Sequence, residues 1–383
     1  MRRAVLALVL LSAASAAAAA PPDGGTIRVA ILESARAVEL RGTDIDITPL
    51  QTGAPVELMC TQCGGWRANV VRATVSGGAV EIEGRRAPGF RLVSAAPIRL
   101  NGREYPGRFE LLRSGDGMAV VNELPLEDYV VGVLRAESNE RWPVESLRAQ
   151  AVVARTYAAY HRQLSAAKPY HIVASTAHQQ YAGRVVSSSP VLGAVHDTAG
   201  QVLRWEGELF PAFYHTESGG YTEDPRTVFA ARNMPGLKPV TCLFSTGAPH
   251  YFWNLDVRLA DLSEILRKNA VAVGTVTAID ITERTPSLRA AMLTVRGTRG
   301  SARVRGNDLR RMIGYDTLKS TLFAVAVTDG YARFAGRGYG HGVGMCQWGA
   351  KGMAEQGYKS ADILKFYYPG TVLGRLDVEA LRR

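Results

Sequence analysis

Short runs of alternating apolar and polar residues dominate the chain between residues 26 and 113. Segments such as TIRVAIL, ANVVRATV and RFELLR place apolar side chains at every second position, with Gly, Pro and Asp between the runs. Alternation of this kind is typical of strands with one buried face, and short connections favour antiparallel neighbours. The pattern predicts an N-terminal antiparallel β region over residues 25–107.

Helical spacing replaces this alternation further along the chain. A short helical turn is predicted from Leu126 to Leu134. A longer helix is predicted after Pro143, because proline suits the first helical turn. Small residues then recur at helical spacing, at Ala151, Ala154 and Ala158, which allows close packing.

The second half of the chain mixes both patterns. Residues 251–328 alternate strand-like runs with two helical segments, LADLSEILRKNA and GNDLRRMIG, and are predicted to form an inserted α+β subdomain. Near the end, Ser360 is predicted to cap a helix over ADILKFYY, which Pro369 and Gly370 terminate. The predicted fold class is α+β, a mixed multi-lobe domain over residues 108–374 with a tail at 375–383.

The first twenty residues have the order of a secretory signal peptide. Arg2 and Arg3 precede a short apolar stretch and an Ala-rich run. The apolar stretch is too short for a membrane helix with normal flanks. We therefore expect residues 1–20 to be removed and the mature chain, without an integral membrane span, to be exported to the periplasm or cell envelope.

Charge and cysteine content narrow the choice of partners. The net charge is +10, which favours an acidic partner such as a cell-wall polymer, while the absence of a continuous Lys/Arg block argues against nucleic acid.

Cys60 and Cys63 form CTQC, which predicts a local disulfide or a redox pair. A zinc site would need a second closely spaced pair, and Cys242 and Cys346 do not form one.

Several acidic residues near the predicted long helix are candidates for proton transfer. Glu137, Glu140 and Glu145 lie around the segment RAESNERWPVE. A carboxylic acid can protonate a leaving oxygen if its pKa is raised. By spacing alone, Glu137 is placed in the loop before the helix, where the helix dipole favours its ionised form and a solvated role is the plain alternative.

A second candidate segment is AFYHTESGGYTEDP, residues 212–225. His215 ends an aromatic strand, and Ser218 begins a turn with two glycines. These side chains suit contact with sugar hydroxyls or a metal, although a lone His is often only a packed residue. Glu217 and Asp224 are candidate second carboxylates.

The third candidate is the glycine-rich run that begins at Gly336. Glycines at every second position from 336 to 344 alternate with Arg337, Tyr339, His341 and Val343. Alternating glycines leave one face of an extended segment open to close approach, by a ligand or by other backbone. Two interpretations therefore stand: a surface that lies against a polysaccharide, and a tight packing seam. Cys346 is interpreted as a buried structural thiol.

Four segments taken together resemble the SpoIID/LytB domain family. VVNELPLEDYVVGVLRAE resembles its opening, WPVESLRAQAVVARTYA its first helix and FYHTESGGYTEDPRTVF its central motif. GRGYGHGVGMCQWGAKGMAEQGYKSADILKFYYPGT resembles its C-terminal signature. The segments occur in the family's order over about residues 108–374, whereas the N-terminal region and the 251–328 insertion are less diagnostic.

The resemblance implies a peptidoglycan lytic transglycosylase that cleaves glycan strands stripped of stem peptides, between MurNAc and GlcNAc. Glu137 matches the family's catalytic Glu, with Glu140 as a rival because the loop before Pro143 is longer here. A single Glu would protonate the glycosidic oxygen and then deprotonate the muramoyl 6-hydroxyl. The residues implied to bind substrate are Arg155, Tyr157, His215, Ser218, Gly219, Gly220, Arg337, Tyr339, His341 and Gln347.

Other functions remain open at this point. Some family members bind zinc near a segment that reads STAHQQYAG in this chain. We expect no cofactor here. If zinc does bind, the candidate ligands are His178 and His215. One rival is a hydrolase with a second acid such as Asp224. Another is a non-catalytic wall-binding enhancer of an amidase, which would bind glycan strands and the amidase as partners.

Overall fold

The computed structural model describes residues 25–50, 65–229, 234 and 236–376. The predicted signal peptide, Cys60, Cys63 and the end of the tail lie outside these residues. The described chain combines helices and strands in several sheets, which confirms the α+β class.

The largest sheet contains eleven strands in the described residues, from the N-terminal region and beyond it. Its central path runs β11-β1-β10-β9-β6-β2-β3-β4-β5, and β7 and β8 extend from β2. The sheet continues across the predicted boundary at 107/108 through the antiparallel pairing of β1 with β10. The strands are β1 (Thr26–Ala35), β2 (Ala37–Leu50), β3 (Trp66–Ser76), β4 (Ala79–Ile82), β5 (Arg85–Ala87), β6 (Gly89–Val93), β7 (Ile98–Leu100), β8 (Arg103–Tyr105), β9 (Arg108–Ser114), β10 (Gly117–Pro125) and β11 (Ile172–Val173).

Helices α1 (Leu126–Glu137) and α2 (Val144–Leu164) follow β10, and α3 (Pro190–Asp197) follows β11. α1 runs one turn further than predicted, and α2 begins directly after Pro143, as expected from its fixed φ. Leu126, Tyr129 and Leu134 of α1 belong to the buried core of the sheet. The described helices include none with the length and apolar character that a membrane crossing requires.

A second core lies on the other side of α2 and carries the C-terminal elements. Ala149, Val152 and Val153 of α2 pack there against Val343 and Met345. Lys359 is the N-cap of α8, so Ser360 is its first residue and not its cap. The elements are β12 (Gln201–Arg204), β13 (Tyr214–His215), α4 (Pro225–Phe229), β20 (Met345–Cys346), α7 (Gln347–Glu355), α8 (Ser360–Tyr367) and β21 (Val372–Arg375).

The segment predicted as an insertion has a hydrophobic core of its own, from Trp253 to Phe334. It extends beyond residue 328, because β19 pairs with both β14 and β18 and so belongs to the same unit. Its elements are β14 (Trp253–Arg258), α5 (Leu259–Lys268), β15 (Val276–Arg284), β16 (Ala290–Gly297), β17 (Gly300–Arg305), α6 (Gly306–Ile313), β18 (Phe323–Thr328) and β19 (Tyr331–Gly336).

Candidate functional site

A cleft of about 210 Å³ opens where α1, α2, the 176–180 loop, β13 and the glycine-rich run meet. Residues that are far apart in sequence therefore share one wall. Among the described residues, the cleft lining includes a single carboxylate, that of Glu137. The lining residues are Glu137, Tyr157, Thr176, Ala177, His178, Gln180, Phe213, Tyr214, His215, Thr216, Phe229, Gly340, His341 and Gln347.

Glu137 is the last residue of α1, not a loop residue before α2 as its spacing predicted. Its half-buried carboxylate accepts a 2.6 Å hydrogen bond at Oε1 from the main-chain amide of Gln180. The nearby helix end is the C-terminal end of α1, whose partial negative charge disfavours an ionised carboxylate. The helix dipole therefore acts in the opposite direction to the one expected from the sequence.

Burial raises the pKa of the Glu137 carboxyl above its usual value near 4.5. Hydrogen bonds from the Gln180 amide and the Tyr214 side chain lower that pKa, but they do not cancel the effect of burial. A carboxyl with a raised pKa holds its proton closer to neutral pH, which is what a general acid requires.

Tyr214 is itself fixed by a buried network. Its hydroxyl accepts a 3.2 Å hydrogen bond from Nε2 of Gln179, whose Oε1 accepts a 3.2 Å bond from the hydroxyl of Tyr129. Tyr129 is fully buried and Tyr214 is partly buried, so packing as well as these bonds sets their positions. Sequence reasoning missed Tyr214, Gln179 and Gln180, because their importance depends on contacts with α1 that no local pattern records.

His215 and His341 face the same cleft, with ring centroids 5.6 Å apart. Nδ1 of His215 donates to the carbonyl of Val343 over 3.1 Å, whereas Nδ1 of His341 accepts from the amide of Val343 over 3.0 Å. Burial lowers the pKa of both rings, that of His341 to about 3. Both imidazoles are therefore neutral near pH 7, with His215 Nε2 lacking a partner among the described residues.

The glycine-rich run packs against protein backbone along residues 213–219. Gly338, Gly340, Gly342 and Gly344 all have positive φ, so the run is not the extended strand that the alternation suggested. A Cβ on Gly344 would collide with the carbonyl of Phe213, and one on Gly340 would lie 2.8 Å from Cβ of His215. The packing-seam interpretation is the one the structure shows.

Parts of the chain match known protein families. A family model described as Stage II sporulation protein matches residues 114–205, and one described as a domain of unknown function matches residues 244–344. A Stage II sporulation protein D of Bacillus amyloliquefaciens is 30% identical over 67% of this chain and 76% of its own length. The chain belongs to the SpoIID family.

Two other relatives extend this comparison. An uncharacterized protein of Brachyspira hyodysenteriae is 35% identical over 71% of this chain and 72% of its own length. The amidase enhancer of Bacillus subtilis is 31% identical over 72% of this chain but only 45% of its own length. Proteins similar to this chain thus include both a sporulation protein and an amidase enhancer.

Several residues that the SpoIID resemblance implied for substrate binding lie away from the cleft. Arg155 is fully buried, makes a two-pronged ion pair with Glu127, at 2.7 and 2.8 Å, and does not belong to the described lining of the cleft. Ser218 is also fully buried, beneath the surface of the cleft. Gly219 and Gly220 have positive φ and form a turn, which accounts for glycine at both positions without a ligand.

Two residues of the SpoIID glycine-rich signature also point elsewhere. Arg337 lines a separate groove on the inserted subdomain. The hydroxyl of Tyr339 donates a 2.6 Å hydrogen bond to Asp316, and its ring contacts His250 edge-on. Of the residues that the resemblance implied, the cleft itself gathers Glu137, Tyr157, His215, His341 and Gln347.

The rival carboxylates are engaged outside the cleft. Glu140 accepts a 2.9 Å bond from Ser189, and Asp224 is held by Arg226, which lowers the Asp224 pKa. Glu217 is fully buried, with Oε1 accepting from Ser245 and from the amide of Gly219. None of the three belongs to the described lining of the cleft.

The two metal candidates, His178 and His215, both line the cleft. Burial lowers the pKa of the His178 ring, which lies 4.9 Å from the ring of His161. In the described part of the chain, no group of three or more His, Cys, Asp or Glu side chains is arranged to hold a metal ion. We therefore assign zinc no role in the reaction proposed below.

Proposed function

We propose that this protein is a peptidoglycan lytic transglycosylase that cleaves peptide-stripped glycan strands between MurNAc and GlcNAc in the cell envelope. Membership of the SpoIID family supports a cell-wall-related function. The reaction is assigned to the cleft, and its acid/base to Glu137. The observation that carries the proposal is the Glu137 carboxyl, which has a raised pKa and is the one carboxyl in the described lining.

One carboxyl is sufficient for this reaction. In its protonated form, Glu137 gives its proton to the glycosidic oxygen as the bond to the muramoyl anomeric carbon breaks. The resulting carboxylate then takes the proton of the muramoyl 6-hydroxyl, whose oxygen bonds to the anomeric carbon and closes a 1,6-anhydro ring. No water is consumed, so the second carboxylate of ordinary glycosidases is not needed.

The surrounding residues suit positioning and not proton transfer. The Gln180 amide and the Tyr214 hydroxyl hold the carboxyl of Glu137 in place. The neutral His215 ring offers its unpartnered Nε2 as an acceptor to a polar, uncharged ligand such as a sugar, whereas the neutral His341 ring is held by backbone groups of Val343 and Tyr214. The buried aromatic ring of Tyr157 also lines the cleft.

A second candidate function is a non-catalytic enhancer of a cell-wall amidase. The similarity to the amidase enhancer of Bacillus subtilis favours it. A binding role needs the shape of the cleft but not a proton donor, so it predicts no effect of a Glu137→Gln change on amidase stimulation. The hydrolase alternative has less support, because Asp224 is paired with Arg226 away from the cleft.

The test is mass spectrometry of purified, peptide-free glycan strands after incubation with the mature protein. We expect wild type to release anhydro-ended fragments, and Glu137→Gln to release them roughly a hundredfold more slowly or worse. Glu140→Gln is the matched control and should keep full activity. Reducing ends in place of anhydro ends would indicate a hydrolase, and stimulation of an amidase without any cleavage would favour the enhancer.

A further inference from the structure

A second, smaller pocket lies behind the wall of the cleft. It shares Gly340 and His341 with the cleft and has a volume of about 20 Å³. Space of this size accommodates about one or two water-sized particles. The charged and amide side chains that line it are those of Glu223, Arg289, Arg305, Asn307, Arg310 and His341.

Arg289 is the unusual member of this set. Its side chain is 1% exposed, and its guanidinium packs against Gly342. Nη2 donates to the carbonyl of Ser218 over 2.7 Å and more weakly to that of Tyr221, but Nε and Nη1 have no partner among the described residues. Buried polar groups are almost always hydrogen-bonded, and a buried guanidinium with unpartnered N–H groups is costly.

The carboxylates of Glu223 and Glu217 lie near enough to favour the charge of Arg289, but neither is hydrogen-bonded to its Nε or Nη1. Arg305 and Arg310 add two more guanidinium groups, and the ring of His341 is neutral. Glu223 is the carboxylate in the described lining, but its Oε2 accepts 2.6 Å bonds from the hydroxyls of Thr285 and Ser287. The lining therefore carries three cationic groups against one carboxylate that is already hydrogen-bonded.

We infer that this pocket is a binding site for a small monovalent anion, of the size of a halide or of a single carboxylate group, held by Arg289 with Arg305 and Arg310. Charge-assisted bonds from guanidinium N–H groups are among the strongest that a protein forms with such an anion. The small volume excludes sulfate, phosphate and larger oxyanions. The inference stands on the pocket alone and does not depend on the proposed function.

The anion has two possible sources. One is a free ion from solution that completes the fold beneath His341. The other is a carboxylate carried by a ligand in the neighbouring cleft, since Gly340 and His341 line both spaces. In either case the anion would fix the guanidinium of Arg289, and through it the glycine-rich run that carries His341.

The experiment uses bromide as the probe. Wild-type crystals are soaked in sodium bromide and examined for anomalous scattering, and melting temperatures are measured as bromide replaces gluconate at constant ionic strength. We expect a bromide peak at Arg289 and a saturable rise in melting temperature. A water-only pocket together with no saturable response would overturn the inference.

Two variants on the same strand separate this site from general charge effects. Arg305→Gln removes one lining cation, and Arg303→Gln removes an exposed arginine that is paired with Glu283 outside the pocket. We expect Arg305→Gln to weaken bromide binding about tenfold, the effect of one charge-assisted bond. Arg303→Gln should leave it unchanged, and equal effects of the two changes would contradict the inference.

Competition then identifies the source of the anion. N-acetylmuramic acid carries a carboxylate and N-acetylglucosamine does not, and formate is a free carboxylate of minimal size. Displacement of bromide by N-acetylmuramic acid but not by N-acetylglucosamine would assign the site to a carboxylate of a cleft ligand. Displacement by formate alone would assign it to a free anion. Because bromide is read out without any cleavage, failure of the proposed function would leave these results interpretable.

Discussion

The side-chain amide of Gln347 donates a 3.0 Å hydrogen bond to the main-chain carbonyl of Glu137, 210 residues away in sequence. Glu137 ends α1, and the last four carbonyls of a helix have no partner within the helix. Gln347 begins α7 directly after the glycine-rich run and satisfies one of them. The C-terminal signature therefore fixes the backbone that carries the proposed acid.

Gln347→Met should slow cleavage without weakening substrate binding. Methionine has a similar length but donates no hydrogen bond, so the backbone at Glu137 loses one restraint while the cleft keeps its volume. We expect kcat to fall about tenfold with KM nearly unchanged, because a small misplacement of an acid costs rate and not affinity. The measurement is the rate of anhydro-end formation. Gln356→Met, at the exposed end of α7, is the control.

Glu137→Gln should stabilise the protein increasingly as the pH rises. A carboxyl whose folded pKa lies above its unfolded value stabilises the fold below about pH 4.5, and this contribution is lost as the pH rises through the folded pKa. Glutamine does not titrate but can still accept the bond from Gln180. We expect similar urea midpoints for the two proteins at pH 4 and a higher midpoint for the variant at pH 8.

The control for this measurement is Glu140→Gln, which removes a carboxylate outside the cleft. A difference between wild type and Glu137→Gln that stays constant from pH 4 to pH 8 would show that burial does not raise the Glu137 pKa.

Gly344→Ala should be far more damaging than Gly357→Ala. Both glycines have positive φ, so alanine strains the backbone at either position by about 1–2 kcal/mol. Only at Gly344 would the new Cβ also collide with the Phe213 carbonyl, whereas Gly357 has open space around it. We expect Gly344→Ala to lose several kcal/mol of stability or fail to fold. Equal unfolding midpoints for the two variants would argue against the packing seam.

Cys346→Ser should be tolerated, and Cys346→Ala should not. Cys346 is a free, buried cysteine, and it is the N-cap of α7. Its Sγ accepts hydrogen bonds from the amides of Gly349 and Ser218, at 3.2 and 3.3 Å. A serine hydroxyl can replace both bonds, whereas alanine leaves two buried donors unsatisfied and should cost about 1–3 kcal/mol. Chemical denaturation of the two variants measures the difference.

The sequence by itself determined the class of the fold and the chain positions from which the site is built. Alternation and helical spacing are local properties of the chain, so α2, the α+β class and the strand-rich N-terminal region followed from them. The family resemblance pointed to Glu137, His215, His341 and Gln347 from motifs more than two hundred residues apart. The cleft brings these four side chains together.

Only the tertiary structure decided what surrounds those side chains. The glycine-rich run could face a ligand or a backbone, and its partner at residues 213–219 lies more than a hundred residues away in the chain. The sequence left Arg155 as a candidate for substrate binding, and only the fold shows that it is buried beside Glu127. The raised pKa of Glu137 likewise depends on the burial of its carboxyl in the folded protein, which outweighs the hydrogen bonds from Gln180 and Tyr214. Burial, charge pairing and close packing arise between distant segments, and no local pattern specifies which segments meet.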